Sequence, residues 1–286
     1  MRKTYLVGML FINFLFLGNL QAQKTLIYSL TENPTETLIV SLLELGFENS
    51  HNSQRYQLQA NRDPVNEARK IQMLKDGQLD IVWMGTQKQY EDELYPIRIP
   101  ILKGMLGHRI FIIRQGEQAS FNAISSFENL RSIPVGQGKF WGDTGVLKHA
   151  GMNVVDPVKY ESLFHMLEGG RFDYFPRALH EPWSEVANRG ELNLTIEARH
   201  LLIYPFALYF FVSKDNQALG ELIHDGLRRA IDKGSYDTAF YQHPVIKETL
   251  QRSKLAKRIV HRLDNPNMSH LTPVHDKSLW LDIQNF

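Results

Sequence analysis

Arg177 stands just past a short apolar run, Tyr174-Phe175-Pro176, and its guanidinium is a planar fork of five donors matched to a carboxylate or phosphate. A second cation, Lys139, follows Gly136-Gln137-Gly138, where glycines permit close backbone approach and turn amide hydrogens toward an anion. Asp143 and Thr144 come next, readable either as contacts to a polar solute or as a plain helix cap, a role that Asp fills well. Upstream, Trp83, Thr86 and Glu91 gather at and beyond the end of the apolar run 79–84, and Glu32 follows the run 25–30. Arg109 alternates with apolar neighbours on an extended segment, so it can face a cleft. Trp83, Tyr90, Trp141 and Phe175 offer flat walls for stacking or, equally, core filling. The chemistry these residues share is reversible recognition of a small charged molecule. Arg177 is the expected principal anion contact, helped by Lys139; the alternative for Arg177 is a structural pair with Glu181 or Glu185.

Covalent and metal chemistry find less support in the residue types. Cysteine is absent, which removes disulfides, thiolate metal sites and cysteine nucleophiles. The eleven histidines contain no HExxH, and His270 with His275 is not a helical-face spacing. There is no Gly-x-Ser-x-Gly elbow, and Gly136-Gln137-Gly138 lacks the later glycine of a dinucleotide fingerprint.

Positioning such residues requires strands that end at a common edge, and the hydrophobic pattern supplies them. Residues 25–30 read as a strand, and Pro34 opens a helix carrying Leu38, Leu42 and Leu45 that Gly46 is expected to stop. A strand over 56–59, a helix over 64–76 with Gly77 beyond it, and a strand over 79–84 follow. Two extended segments, 97–102 and 108–114, come without a helix between them. The alternation then restarts: strand 133–136, helix 144–149, strand 152–155, helix 161–167, strand 172–175. A strand over 204–212, a helix over 217–231, a basic-ended helix over 244–259 and a surface-crossing tail over 265–286 complete the chain. Alternating strands and helices predict α/β architecture with parallel sheets covered on both faces. In such sheets, ligands sit outside the carboxyl ends of the strands, where the candidate residues fall.

With these elements in place, the chain resembles the family 3 bacterial extracellular solute-binding proteins, the amino-acid-type periplasmic binding proteins. The likeness rests on Leu-Lys-Asp-Gly-Gln-Leu-Asp-Ile-Val-Trp at 74–83, the strand and crossover at 97–114 and Ile133 to Gly138. It continues through Leu-Glu-Gly-Gly-Arg-Phe-Asp-Tyr at 167–174 and the return at 204–241, in order and along most of the chain. The resemblance implies a clamshell of two α/β lobes joined by a double crossover hinge, the first lobe from 23–112 and 206–286 and the second from 113–205, closing over a ligand. It also implies no catalysis and no cofactor, a monomer, and a membrane permease or sensor as partner. Family members that bind amino acids resemble one another in a first-lobe arginine for the carboxylate and a second-lobe aspartate for the ammonium. Here Gln89-Tyr90-Glu91 and Arg177-Ala178 stand where those are sought, which points away from an ordinary α-amino acid and toward an anionic or carboxylate-bearing ligand, with a polar amino acid second. Some cyclohexadienyl dehydratases are similar in fold, and for that alternative Glu91 or Glu181 would be the acid.

Composition agrees with an exported globular protein. Arg2 and Lys3 precede an uncharged apolar stretch and Ala22, the order of a secretory signal cleaved after residue 22. The remaining chain has a net charge of −1, which gives no electrostatic footprint for nucleic acid. The expected location is therefore the periplasm.

Overall fold

The computed structural model describes residues 23–31, 34–51, 53–63 and 65–286; the expected signal segment and Glu32 lie outside them. In chain order the first part comprises β1 (Lys24–Ser29), α1 (Pro34–Glu48), β2 (Tyr56–Asn61), α2 (Glu67–Lys75), β3 (Val82–Gly85), α3 (Lys88–Glu93) and β4 (Tyr95–Ile97). Next come β5 (His108–Arg114), α4 (Gln118–Asn122), α5 (Phe127–Arg131), β6 (Val135–Gly136), α6 (Thr144–His149), β7 (Val154–Val155), α7 (Tyr160–Glu168), β8 (Tyr174–Ala178), α8 (Pro182–Ala187), β9 (Leu194–Ile196) and β10 (His200–Ile203). The last are β11 (Leu208–Val212), α9 (Gln217–Asp232), α10 (Ser235–Gln242), α11 (Pro244–Ser253) and β12 (Ile259–Arg262).

These elements build two α/β lobes, as the alternating pattern predicts. In the first, β1 pairs in parallel with β2, and a bridge from Tyr28 to Ile81 ties β1 to the segment entering β3. β11 lies antiparallel between β3 and β4. Its strict alternation puts Leu208, Phe210 and Val212 into the core beneath α1 and α9, and Tyr209 and Phe211 into the opposite core with Met73 and Leu74 of α2. The second lobe is a seven-stranded sheet in the order β12-β10-β5-β8-β6-β7, with β9 also on β5. Phe111 and Ile113 of β5 face one core and Ile112 another, so this strand is buried on both sides. The chain passes between lobes over 98–107 and again over 204–207.

Four expectations are corrected, each for a local reason. Gly46 does not stop α1: it lies where α1 crosses α9, and a Cβ on Gly226 would sit 1.8 Å from the Gly46 carbonyl oxygen, so both glycines serve close approach. The helix from Pro244 ends at Ser253 rather than running to residue 259, because Lys254 turns left-handed (φ 48°) and Arg258 folds inward, donating to the Ser253 and His200 carbonyls. The strand expected over 97–102 is met only at Ile97, where β4 ends, and the one expected over 204–212 shortens to β11, the remainder being the crossings themselves; Lys103 and Gly104 there have φ of 47° and 72°. Finally, β12 pairs in parallel with β10, so part of the segment expected in the first lobe belongs to the second-lobe sheet.

Candidate functional site

A cavity of about 270 Å³ opens between the lobes, outside the ends of β3 and β8. From the first lobe it is walled by Thr35 and Glu36 at the start of α1, Glu67 and Lys70 of α2, Trp83 to Gly85 of β3, and Gln87 and Tyr90. The second lobe contributes Arg109 of β5, Trp141 to Asp143 before α6, and Arg177, His180 and Glu181 at the end of β8. Phe206 and Leu208, at the returning crossing, close the floor. Arg177, His180 and Glu181 also form a partition to a larger, outer compartment of about 720 Å³ between α8 and α11.

The second-lobe wall is a network of buried ion pairs. Arg109 Nη2 lies 2.7 Å from Asp143 Oδ2, which also accepts from Gln137 Nε2 at 2.7 Å and from the Tyr204 hydroxyl at 2.8 Å. Arg109 Nη1 lies 3.6 Å from Glu181. Arg177 donates Nε to Glu185 Oε2 at 2.8 Å and Nη2 to Glu185 Oε1 at 2.6 Å, and Nη2 is also 3.1 Å from Glu181. Its guanidinium stacks over Trp141, 4.8 Å from the ring centroid. Burial works against the charge on Glu181, but the Arg177 and Arg109 guanidiniums and a hydrogen bond from the Ala178 amide outweigh it and hold the carboxyl below its ordinary range. Burial also lowers the pKa of His180, so that imidazole is neutral near pH 7.

The first-lobe wall is different in character. The Trp83 indole donates to Glu36 at 3.0 Å, and the Tyr90 hydroxyl donates to Glu67 at 3.2 Å. Burial, followed by the Glu67 charge, pushes Tyr90 up to about 12, so it remains a donor. Lys70 is only 9% exposed, yet its side-chain ammonium has neither a hydrogen bond nor an ion pair among the described residues.

Seven residues singled out from the sequence meet at this cavity: Trp83, Tyr90, Arg109, Trp141, Asp143, Arg177 and Glu181. Arg177 does not present an unpaired fork there: its Nε and Nη2 are engaged by Glu185 and Glu181, the structural pairing weighed above. Four others do not line the cavity. Thr86 donates to Glu91, and Glu91 is clasped by Arg98 at 2.8 and 3.1 Å, so both brace α3. The Thr144 hydroxyl is turned back onto the Gly138 carbonyl at 2.6 Å. Lys139 is exposed beyond the loop, and the expected anion cradle at Gly138 is filled by the Trp141 ring, 2.5 Å from where a Cβ would stand. Glu36, Glu67, Lys70 and His180 were not singled out. The signal for the α2 pair was an acid and a base three apart in a first helical turn, which also describes an ordinary solvated face.

No family model and no curated relative matches this sequence. Solved structures do match in fold. The probable amino-acid ABC transporter extracellular-binding protein YtmK of Bacillus subtilis superposes with a TM-score of 0.59 at 15% identity, covering 79% of this chain and 99% of that one. A putative binding component of an ABC transporter from Wolinella succinogenes, complexed with lysine, gives 0.56 at 14% identity, over 79% and 98%. An ancestral arginine-binding protein bound to arginine gives 0.53 at 17%, over 77% and 98%. The fold is thus the two-lobe clamshell of extracellular solute-binding proteins.

Proposed function

We propose that this chain is an exported, periplasmic solute-binding protein that captures a small polar, carboxylate-bearing molecule between its lobes and hands it to an ABC-type importer, acting as a monomer without chemistry of its own. The observation that carries this reading is the cavity itself. It lies between two α/β lobes, outside strand ends of both, with aromatic and charged side chains converging from each side. Among the described residues no helix is long and apolar enough to cross a membrane, so the partner that moves the solute would be a separate permease. The dehydratase alternative draws no support from its two proposed acids: Glu91 is held by Arg98 away from the cavity, and Glu181 is kept ionised by its cationic neighbours.

A binding protein gains stability from its ligand by mass action, about 2.7 kcal/mol at a hundred times the dissociation constant. A thermal-shift screen of purified protein against polar amino acids, dicarboxylates and small phosphorylated acids is expected to show saturable stabilisation by at least one carboxylate-bearing compound, with no product formed. Stabilisation only by cationic amines would overturn the ligand class. Turnover of a prephenate-like acid would overturn the role.

A further inference from the structure

We infer that Lys70, rather than Arg177, is the residue that receives the ligand's carboxylate. This rests on the cavity being a solute site and identifies which wall reads the anion. The two arginines of the cavity are already engaged: Arg109 lies against Asp143 and Glu181, and Arg177 against Glu185 and Glu181. A guanidinium paired in this way could bind a solute carboxylate only by giving up a buried partner, which would leave that partner's charge uncompensated. Lys70 has no such partner. It is nine-tenths buried, lines the cavity, and its side-chain ammonium takes neither a hydrogen bond nor an ion pair among the described residues. Its ammonium is not fully occluded. An enclosed ammonium with three donors and no acceptor is a vacancy for an anion.

The surroundings sharpen the class of ligand. The residues lining the cavity include four carboxylates (Glu36, Glu67, Asp143, Glu181) against three cations (Lys70, Arg109, Arg177), so the wall as a whole does not favour a purely anionic solute. Glu67 stands three residues before Lys70 in the first turn of α2, lines the same cavity and accepts from Tyr90, so a carboxylate lies on the same wall without pairing with the Lys70 ammonium. A zwitterion, with its carboxylate on Lys70 and its ammonium on the acidic side near Glu67, matches both charges. An amino-acid-type ligand therefore fits this cavity without the arginine and aspartate that were sought in the sequence.

The test pairs each amino acid with the amine that lacks its carboxylate: L-lysine with cadaverine and L-arginine with agmatine, with L-glutamine and L-glutamate added. Affinities are measured by calorimetry for the wild-type protein, Lys70→Met and Lys70→Arg, with far-UV circular dichroism confirming that each is folded. In the wild type, loss of the carboxylate is expected to weaken binding about 10- to 100-fold, the worth of one charge-assisted hydrogen bond. In Lys70→Met the amino acid and its amine are expected to bind alike, and Lys70→Arg should restore the preference. If Lys70→Met keeps the wild-type preference for the carboxylate, the assignment is overturned while the solute-binding reading stands. If no compound of the panel binds the wild-type protein, the amino-acid-type assignment is overturned, while the solute-binding reading is decided by the wider thermal-shift screen.

Discussion

Arg177 shows how much a side chain's role depends on neighbours that sequence spacing leaves open. Its fork is well matched to a carboxylate, and the carboxylate it meets is Glu185, eight residues on, with Glu181 beside it and Trp141 stacked beneath. The pair is buried, and the Tyr160 hydroxyl adds a donor to Glu185 at 2.6 Å. Removing one member of such a pair leaves the other as an isolated buried charge, whereas replacing both with apolar groups removes the desolvation penalty as well. Arg177→Met and Glu185→Leu should therefore each lower unfolding free energy by about 3–5 kcal/mol, and the double variant by distinctly less than either alone. Urea titrations of the four proteins measure this. A single Arg177→Met variant of unchanged stability but abolished ligand binding would show instead that the guanidinium belongs to the solute. The same reasoning explains Asp143. Its three donors, from Arg109, Gln137 and Tyr204, come from three separate elements, so it ties β5, the loop before α6 and the crossing at 204–207 into one rigid wall.

At the scale of elements, glycine divides into positions that turn the chain and positions that let two elements touch. Gly46 and Gly226 are of the second kind: the would-be Cβ of Gly226 falls 1.8 Å from the Gly46 carbonyl oxygen, with Gly46 itself against Leu227. Gly226→Ala must push α1 and α9 apart across the largest core, and overpacking of this sort costs typically 1–3 kcal/mol despite alanine's better helix propensity. Gly190→Ala, where nothing lies within 4 Å and φ is not positive, should be close to neutral. Denaturation midpoints of the two variants make the comparison; equal midpoints would mean that the helix crossing relaxes without penalty. This pair also marks what a sequence conveys. Hydrophobic period located α1, α7, α9 and β5 nearly to the residue, because burial on one face is written in the residues themselves. Gly46 was misread as a helix stop because a packing glycine and a terminating glycine are the same letter, distinguished only by what crosses it. The cavity was legible as a set of strand ends for the same reason that the fold was. Which of its charges remain open was not, since Arg177–Glu185 and Glu91–Arg98 are decided by side-chain placement in three dimensions.

On the whole-molecule scale, the last part of the chain is a strap across both lobes. After β12 completes the second-lobe sheet, Asn265 Nδ2 donates to the Pro205 carbonyl at 2.8 Å within the returning crossing. Asn267 then touches both sides of the cavity: its carbonyl accepts from Lys88 N of α3 at 3.1 Å, and its Nδ2 donates to the Gly142 carbonyl, beside Asp143, at 3.3 Å. Further on, Trp280 covers Gly104, Leu281 N donates to the Lys103 carbonyl at 2.8 Å, and Leu279 and Leu281 enter the first-lobe core. A clamshell responds to ligand only through the difference in free energy between its open and closed forms. A contact made when the lobes stand at this separation, and lost when they part, adds to that difference. The Asn267 side chain supplies one such hydrogen bond, worth about 0.5–1.5 kcal/mol, or roughly a 2- to 10-fold change in the ratio of closed to open molecules. Asn267→Ala should therefore enlarge the radius of gyration of the ligand-free protein in small-angle scattering and weaken ligand binding by a similar factor. Fold stability should change little, because the tail keeps its anchors at Pro205, Lys103 and the first-lobe core. Identical scattering and affinity in the variant would mean that the strap follows the lobes rather than restraining them.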